Sequence, residues 1–338
     1  MRITLVSPFE EAVPPRAYGG IERVVHLLDR ELVHRGHDVV LVASGGSASA
    51  GELVAVTPKP LGRDLDAELK NHTARLAAAA VADLASDVVL NHWWRILDLL
   101  PVDSPPVLTT VHYPLDEDPY RSIFLARRDR PYVSISLSQQ RAAPELNFAA
   151  NIYNGIDVDT MPFRDACGEY LAFVGRFSPD KGADTAVRVA RASGMPLKIA
   201  AKVDGIGRAW FESQVGPIET LDGVELLGEL TSGECSELLV GALALLQPSR
   251  WSEPFGLAAV EAMACGTPVI ALRRGATPEV IRHGETGLVV DREDEMTAAV
   301  ELVPGLSRRS CRAHVEASFD YRVMVDGYVK EAEAALRA

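Results

Sequence analysis

Cysteine is scarce in this chain. The four present, Cys167, Cys235, Cys265 and Cys311, form no CxxC pair and stand at no zinc-ligand spacing from a histidine. That excludes a disulfide scaffold and a zinc ribbon and fits a reduced, cytoplasmic protein. Positive charge is short as well: 34 Lys and Arg stand against 47 Asp and Glu, a net charge of −13. Neither half of the chain is a basic body, so a general nucleic-acid binder is disfavoured. No uncharged apolar run reaches the ~20 residues of a membrane span, and the N-terminal run Ile3–Val6 is too short for a signal-peptide core. The one basic cluster, Arg121, Arg127, Arg128 and Arg130, reads as a solvated loop or helix face ahead of a membrane-surface patch, which disfavours membrane contact. No DxD-like acidic pair stands at a convincing strand end, so no metal site and no cofactor are expected.

What is there is an ordinary globular composition, 47% hydrophobic and 24% charged, spread over 338 residues. A single core rarely grows past ~250–300 residues, so two domains are expected. Short apolar runs alternate with helical patterns throughout. Ile3–Val6, Val39–Val42, Val88–Leu90, Val107–Val111 and Tyr132–Ile135 read as buried strands. Ile21–Val33 and Asp66–Leu84 read as helices. Asn154-Gly155 marks a turn near a hinge, after which the alternation restarts at Tyr170–Val174. Continuous Val/Ile/Leu runs between helices predict parallel strands with right-handed crossovers. The fold class is therefore α/β, with two doubly wound Rossmann-like domains facing an interdomain cleft. Residues 1–155 with 320–338 form the first domain, its last helix returning to it, and residues 156–319 form the second. No sequence repeat relates the two.

Four motifs fall where such sheets bind ligands, beyond the carboxyl ends of strands. In Glu253-Pro254-Phe255-Gly256-Leu257, Glu253 precedes a helix and Glu261 lies about two turns inside it. Between these carboxylates lie free N–H groups at the positive end of a helix dipole, which favours phosphate. Each carboxylate can accept from paired hydroxyls. That order suits a sugar nucleotide, with solvated helix-face charges as the alternative. Arg176 and Lys181 bracket a strand-to-helix turn. Cations there would stabilise a departing diphosphate, whereas a solvated loop is the plainer reading of such a pair. Gly19-Gly20 precede the first helix and permit close approach of an anion, without matching GxGxxG. His112 closes a buried run and suits a hydrogen bond to a sugar or proton transfer, with a structural histidine as the alternative. His92 is similarly placed, but Trp93-Trp94 beside it reads as packing.

Together these motifs resemble the family-4 retaining glycosyltransferases of the GT-B fold. The resemblance spans nearly the whole chain. It runs through the Gly-Gly turn, the Thr-x-His strand end, Asn154-Gly155-Ile156-Asp157, Gly-Arg-x4-Lys-Gly, and the Glu-x7-Glu segment ending in Ala264-Cys265-Gly266-Thr267-Pro268. It implies transfer of a sugar from a nucleotide-diphosphate donor to a hydroxyl acceptor, with retention and without metal. Arg176 and Lys181 would hold the diphosphate, and Gly19 and Gly20 would meet it from the first domain. Glu261 would bind the ribose. Glu253 would contact the donor sugar, with amides of Phe255, Gly256 and Leu257 nearby. His112 would contact the sugar near the reacting carbon. The segment Ala200–Gly205 departs from the family's usual glycine turn, which leaves the base unassigned. The acceptor implied is a sugar or small natural product. Two rival readings stay open: a nucleotide-sugar epimerase, or phosphorylase-like enzyme, of the same fold, and a non-catalytic bilobal binding protein.

Overall fold

Alternate residues of an extended strand face opposite sides of a sheet, so a strand apolar at every position must be covered on both. The first of two units has seven strands, the central ones covered in this way: β1 (Arg2–Val6), β2 (Asp38–Ser44), β3 (Glu52–Thr57), β4 (Val88–Asn91), β5 (Val107–Val111), β6 (Tyr132–Ser134) and β7 (Phe148–Asn151). All pair in parallel, in the order β3-β2-β1-β4-β5-β6-β7. Ile3, Leu5, Val39, Leu41, Val88 and Leu90 pack on one face against α1 (Gly20–His34). Val6, Val42 and Val89 pack on the other against Ala74, Ala77 and Ala78 of α2 (Ala67–Ala82). The short helices α3 (Tyr120–Leu125) and α4 (Leu137–Ala142) follow. The computed structural model describes residues 1–16, 19–62, 66–100, 104–203 and 205–337; Tyr18 and Asp204, members of two sequence motifs, lie outside them.

The chain divides into Met1–Gly155 with Tyr321–Ala338, and Ile156–Asp320. In the second unit β8 (Tyr170–Arg176), β9 (Leu197–Lys202), β10 (Val224–Gly228), β11 (Ala242–Gln247), β12 (Val269–Leu272) and β13 (Gly287–Val290) form a parallel sheet in the order β10-β9-β8-β11-β12-β13. Its helices are α5 (Ala183–Ser193), α6 (Gly205–Val215), α7 (Ser232–Val240), α8 (Leu257–Ala264), α9 (Thr277–Val280), α10 (Glu295–Leu302) and α11 (Arg308–Ser318). Both sheets thus run outward three strands, return to the middle and run out the other way. This places a topological switch point between β1 and β4, and another between β8 and β11. Ligand crevices form outside the strand carboxyl ends at such points.

Every strand expected from an apolar run is present. The two that were not expected, β3 and β7, are edge strands with largely half-exposed residues, and so carry no continuous apolar run. The apolar pattern of Ser236–Val240 marks a helix in the sequence; α7 starts earlier, at Ser232, because Thr231 and Glu234 form a reciprocal capping box. The basic cluster is not a freely solvated face. Arg121 donates to the carbonyls of Leu115 and Ala142 and pairs with Glu145, while Arg127 is held by Asp98 and the Ile123 carbonyl. These two guanidiniums staple loops.

The last helix, α12 (Tyr321–Ala335), belongs to the first unit, where Tyr321, Met324, Val325, Tyr328 and Ala332 join the core beside α1. Tyr328 ends in a buried hydroxyl pair with Thr110, 2.8 Å away on β5. Tyr328→Phe strands the Thr110 hydroxyl in that core. The expected loss is about 1–2 kcal/mol, read from urea denaturation at constant slope. An unchanged midpoint would show that the pair adds nothing.

Candidate active site

In the second unit the site is built on the connections leaving the two switch-point strands. β8 ends at Arg176, and the chain turns through Lys181 to Gly182, whose φ of 73° opens α5 with no side-chain cap. A Cβ on Gly182 would stand 2.3 Å from the Pro248 carbonyl oxygen, so only glycine lets this turn close against the exit of β11. Two further bonds tie the same segments: the Arg250 amide to the Asp180 carbonyl at 2.8 Å, and Arg250 Nη1 to the Pro179 carbonyl at 2.9 Å.

Beyond β11 the chain presents Glu253. Its Oε2 accepts from Lys181 Nζ at 2.6 Å, Trp251 Nε1 at 2.9 Å and Ser249 Oγ at 3.4 Å. Lys181 also stands 4.7 Å over the Trp251 ring, a cation–π contact that fixes the ammonium from a second side. The Lys181 and Glu253 side chains keep only 17% and 12% of their exposure. The Glu253 backbone is equally constrained. A Cβ on Gly275, φ 55°, would lie 2.3 Å from its carbonyl oxygen, and that oxygen accepts the Ala276 amide at 2.9 Å. Phe255 is buried against Phe319, with ring centroids 5.6 Å apart.

Gly256, in the left-handed region at φ 97°, then opens α8, again without a side-chain cap. Leu257 is its first residue, and Glu261 lies in its second turn, buried. Glu261 also helps push the neighbouring Cys265 thiol up to about 12, an effect due first to burial. Arg176 is half exposed, and its Nη2 reaches Asp180 at only 3.4 Å. Arg176 Nε, Ser178 Oγ and Gln247 Oε1 are buried without partners among the described residues. Buried orphans of this kind call for an explanation, and a polar ligand supplies one.

Arg250 underlies the whole arrangement. It donates to Asp184 and Thr185 at 2.7 Å each and to Glu293 at 2.7 Å, while Arg188 adds a second donor to Asp184 at 2.8 Å. Burial raises the Asp184 and Glu293 pKa values, but the hydrogen bonds, chiefly from Arg250, outweigh it. Asp184 falls below its usual range and Glu293 reaches about 2.

In the first unit, Gly19 leads into α1, which also lacks a side-chain cap, with Gly20 as its first residue. Gly19 is extended; its glycine identity follows from Pro15, whose Cβ would lie 2.6 Å from an added Cβ. His112 follows β5, and its Nε2 lies 2.9 Å from Nδ1 of His92, which follows β4. Burial pushes His112 down to about 3 and His92 well below its ordinary value. Both imidazoles are therefore neutral at working pH. Gln139 clamps this strand end, its amide nitrogen donating to the Val111 and Tyr113 carbonyls at 2.9 and 2.8 Å.

The structure thus brings Lys181 and Glu253 into contact, places Arg176 on the connection that carries Lys181, and sets Phe255, Gly256, Leu257 and Glu261 along one loop and helix. Gly19, Gly20 and His112 occupy strand exits of the other unit. Sequence reading missed Ser249, Arg250, Trp251, Gly275 and Gln139. It also gave His92 to packing, whereas the ring holds a polar bond to His112. A glycine-free signal such as Arg250 carries no motif of its own; only its partners reveal it.

Residues 165–308 match the family model described as Glycosyl transferases group 1, and residues 18–160 match Glycosyltransferase Family 4. A glycogen synthase of Mycobacterium tuberculosis is 28% identical over 100% of this chain and 95% of its own. A D-inositol 3-phosphate glycosyltransferase of Mycolicibacterium smegmatis is 26% identical over 94% and 87%. Among solved structures, a sucrose-phosphate synthase from Thermosynechococcus elongatus has a TM-score of 0.80 at 19% identity, covering 97% of each chain. AviGT4, a glycosyltransferase involved in avilamycin A biosynthesis, has a TM-score of 0.76 at 22% identity over 100% and 98%. An Anabaena protein, HepE, crystallised with UDP and glucose, has a TM-score of 0.74 at 17% identity over 97% and 98%. At these identities the structural likeness concerns the fold.

Arg250→Leu leaves buried Asp184 with Arg188 alone. At neutral pH the expected destabilisation is about 3 kcal/mol. Because both acidic partners have depressed pKa values when folded, their contribution is present above the ordinary carboxylate range and disappears as pH falls toward about 2. Denaturation of wild type and variant should therefore converge on acidification. A gap independent of pH would assign the loss to packing.

Proposed function

Because this chain is a glycosyltransferase of the family-4 type with the GT-B fold, we propose that it moves a sugar from a nucleotide-diphosphate donor to a hydroxyl acceptor with retention and without a metal. One observation carries the reading. Oxygen Oε2 of Glu253 is saturated by three donors, one of them the Lys181 ammonium, while Oε1 takes no bond among the described residues. The carboxylate is thereby held rigidly, with one oxygen left to accept sugar hydroxyls.

The diphosphate is assigned to Lys181, Arg176 and the uncapped starts of α5 and α8, where N–H groups and helix dipoles favour anions. A phosphate oxygen drawn to Lys181 competes with Glu253 for the ammonium, while Trp251 and Ser249 keep Glu253 in place. Amides of Phe255, Gly256 and Leu257 line the approach, and Glu261 is assigned to the ribose. Gly19 and Gly20 are assigned to the diphosphate, and His112 to the donor sugar. As the bond between the anomeric carbon and phosphate oxygen breaks, the electron pair leaves with the nucleoside diphosphate. The acceptor oxygen bonds to that carbon from the same face, and its proton passes to the departing phosphate. Charge grows on the phosphate in the transition state, so fixed cations there lower the barrier. The reaction needs no cofactor beyond the donor. Among the described residues no helix is long and apolar enough to cross a membrane; a cytoplasmic location and a sugar or small natural-product acceptor complete the proposal.

HepE was solved with UDP, so UDP heads a thermal-shift panel with GDP, ADP and dTDP. A ligand at ~100 times its dissociation constant adds about 2.7 kcal/mol. The matching donor sugars then enter turnover assays with product analysis by NMR. An inverted anomeric product would sink retention. A rate abolished by chelator and restored by magnesium would sink metal independence. Lys181→Ala is expected to lower kcat/KM by ~10²–10³ with circular dichroism unchanged, and Glu261→Ala to raise the donor KM. Wild-type rates in both variants would defeat the site assignment.

A further inference from the structure

The contact between His92 and His112 joins two neutral rings, and neutral imidazole carries one N–H. The 2.9 Å bond between His92 Nδ1 and His112 Nε2 therefore uses a proton belonging to one ring or the other. If it belongs to His112 Nε2, His92 must carry its own proton on Nε2. That nitrogen is buried in a residue with no exposed surface and has no partner among the described residues. If it belongs to His92 Nδ1, the buried Nε2 holds only a lone pair, and His112 carries its proton on Nδ1. A buried N–H without an acceptor is rarer than an underused acceptor, so the second arrangement is favoured.

The surroundings hold both rings to this geometry. They stack with centroids 5.2 Å apart and planes at 29°. Tyr328 packs against His92 at 5.7 Å and is itself anchored to Thr110. Gln139 grips the carbonyls on either side of His112, so the backbone bearing that ring cannot swivel. His112 retains partial exposure, and its Nδ1 has no protein partner among the described residues.

We propose that His92 is a positioning residue that sets His112 in the Nδ1–H tautomer, so that His112 offers the transferred sugar a hydrogen-bond donor rather than a base. This rests on the assignment of His112 to the donor sugar. A solvated neutral histidine side chain prefers the Nε2–H form, so the pairing with His92 would reverse the intrinsic preference.

The test uses the full chain labelled with ¹⁵N-histidine and long-range ¹H–¹⁵N correlation, in which protonated and bare ring nitrogens separate widely. In the wild type His112 is expected to show a protonated Nδ1 and a bare Nε2. In His92→Phe, which keeps a ring but loses the donor, His112 is expected to revert to Nε2–H and kcat/KM to fall about tenfold. His92→Asn places an amide nitrogen near the lost Nδ1 and is expected to restore the tautomer and most of the rate. A wild-type His112 protonated on Nε2 would overturn the proposal even if every His92 variant misfolds. So would a tautomer unchanged in His92→Phe, or equal losses in the Phe and Asn variants. His112→Asn and His112→Phe separate the underlying assignment. Equal wild-type rates in both would remove the sugar contact, and with it the donor role, while the tautomer spectrum would still report on His92.

Discussion

One carboxylate oxygen organises the two switch-point connections of the second unit. Oε2 of Glu253 gathers an ammonium from the β8–α5 connection and an indole N–H and a hydroxyl from its own loop. The two connections at the switch point of the second sheet are thereby locked together. A carboxylate so enclosed would be costly if it lost its cation, and this enforces the geometry. Arg250 repeats the tie one layer deeper through Asp184, Thr185 and Glu293.

The helices divide by how they begin. α2, α4, α7 and α11 are capped by the side chains of Asp66, Ser136, Thr231 and Ser307. α3, α9 and α10 begin at Pro119, Ala276 and Asp294 without one, and α1, α5 and α8, which carry or adjoin residues assigned to the donor, begin uncapped at glycine: Gly19, Gly182 and Gly256. A capping oxygen would occupy the N–H groups that an anion needs. Glycine gives up local helix stability of ordinary size and leaves the positive end open. The same glycines admit close packing: Gly182 against Pro248 and Gly19 against Pro15. Ligand access and loop closure thus place the same demand on those positions.

Under the proposed function, the chemistry to be served is departure of a charged leaving group. The groups proposed to serve it, Arg176, Lys181 and the uncapped starts of α5 and α8, lie in the second unit. The first unit contributes a different element, a histidine pair held by Gln139 and backed by Tyr328 of a helix nearly 220 residues away in sequence from Thr110. Its order depends on packing rather than on any local pattern.

The sequence by itself determined the strands, apart from the edge strands β3 and β7, and most helices, because continuous Val/Ile/Leu runs and periodic apolar faces are local consequences of burial. It determined the two-part organisation through the restart after Gly155, and it marked Arg176, Lys181, Glu253, Glu261 and the glycine turns, because a helix start needs particular residues next to one another. Only the tertiary structure decided that Lys181 reaches Glu253 across 72 positions, that Gly275 must be small because Glu253 lies against it, that Arg121 and Arg127 staple loops, and that His92 grips His112. Those contacts bring together groups from different connections, and the distance between them is set by how strands order within a sheet, a property no window of sequence contains.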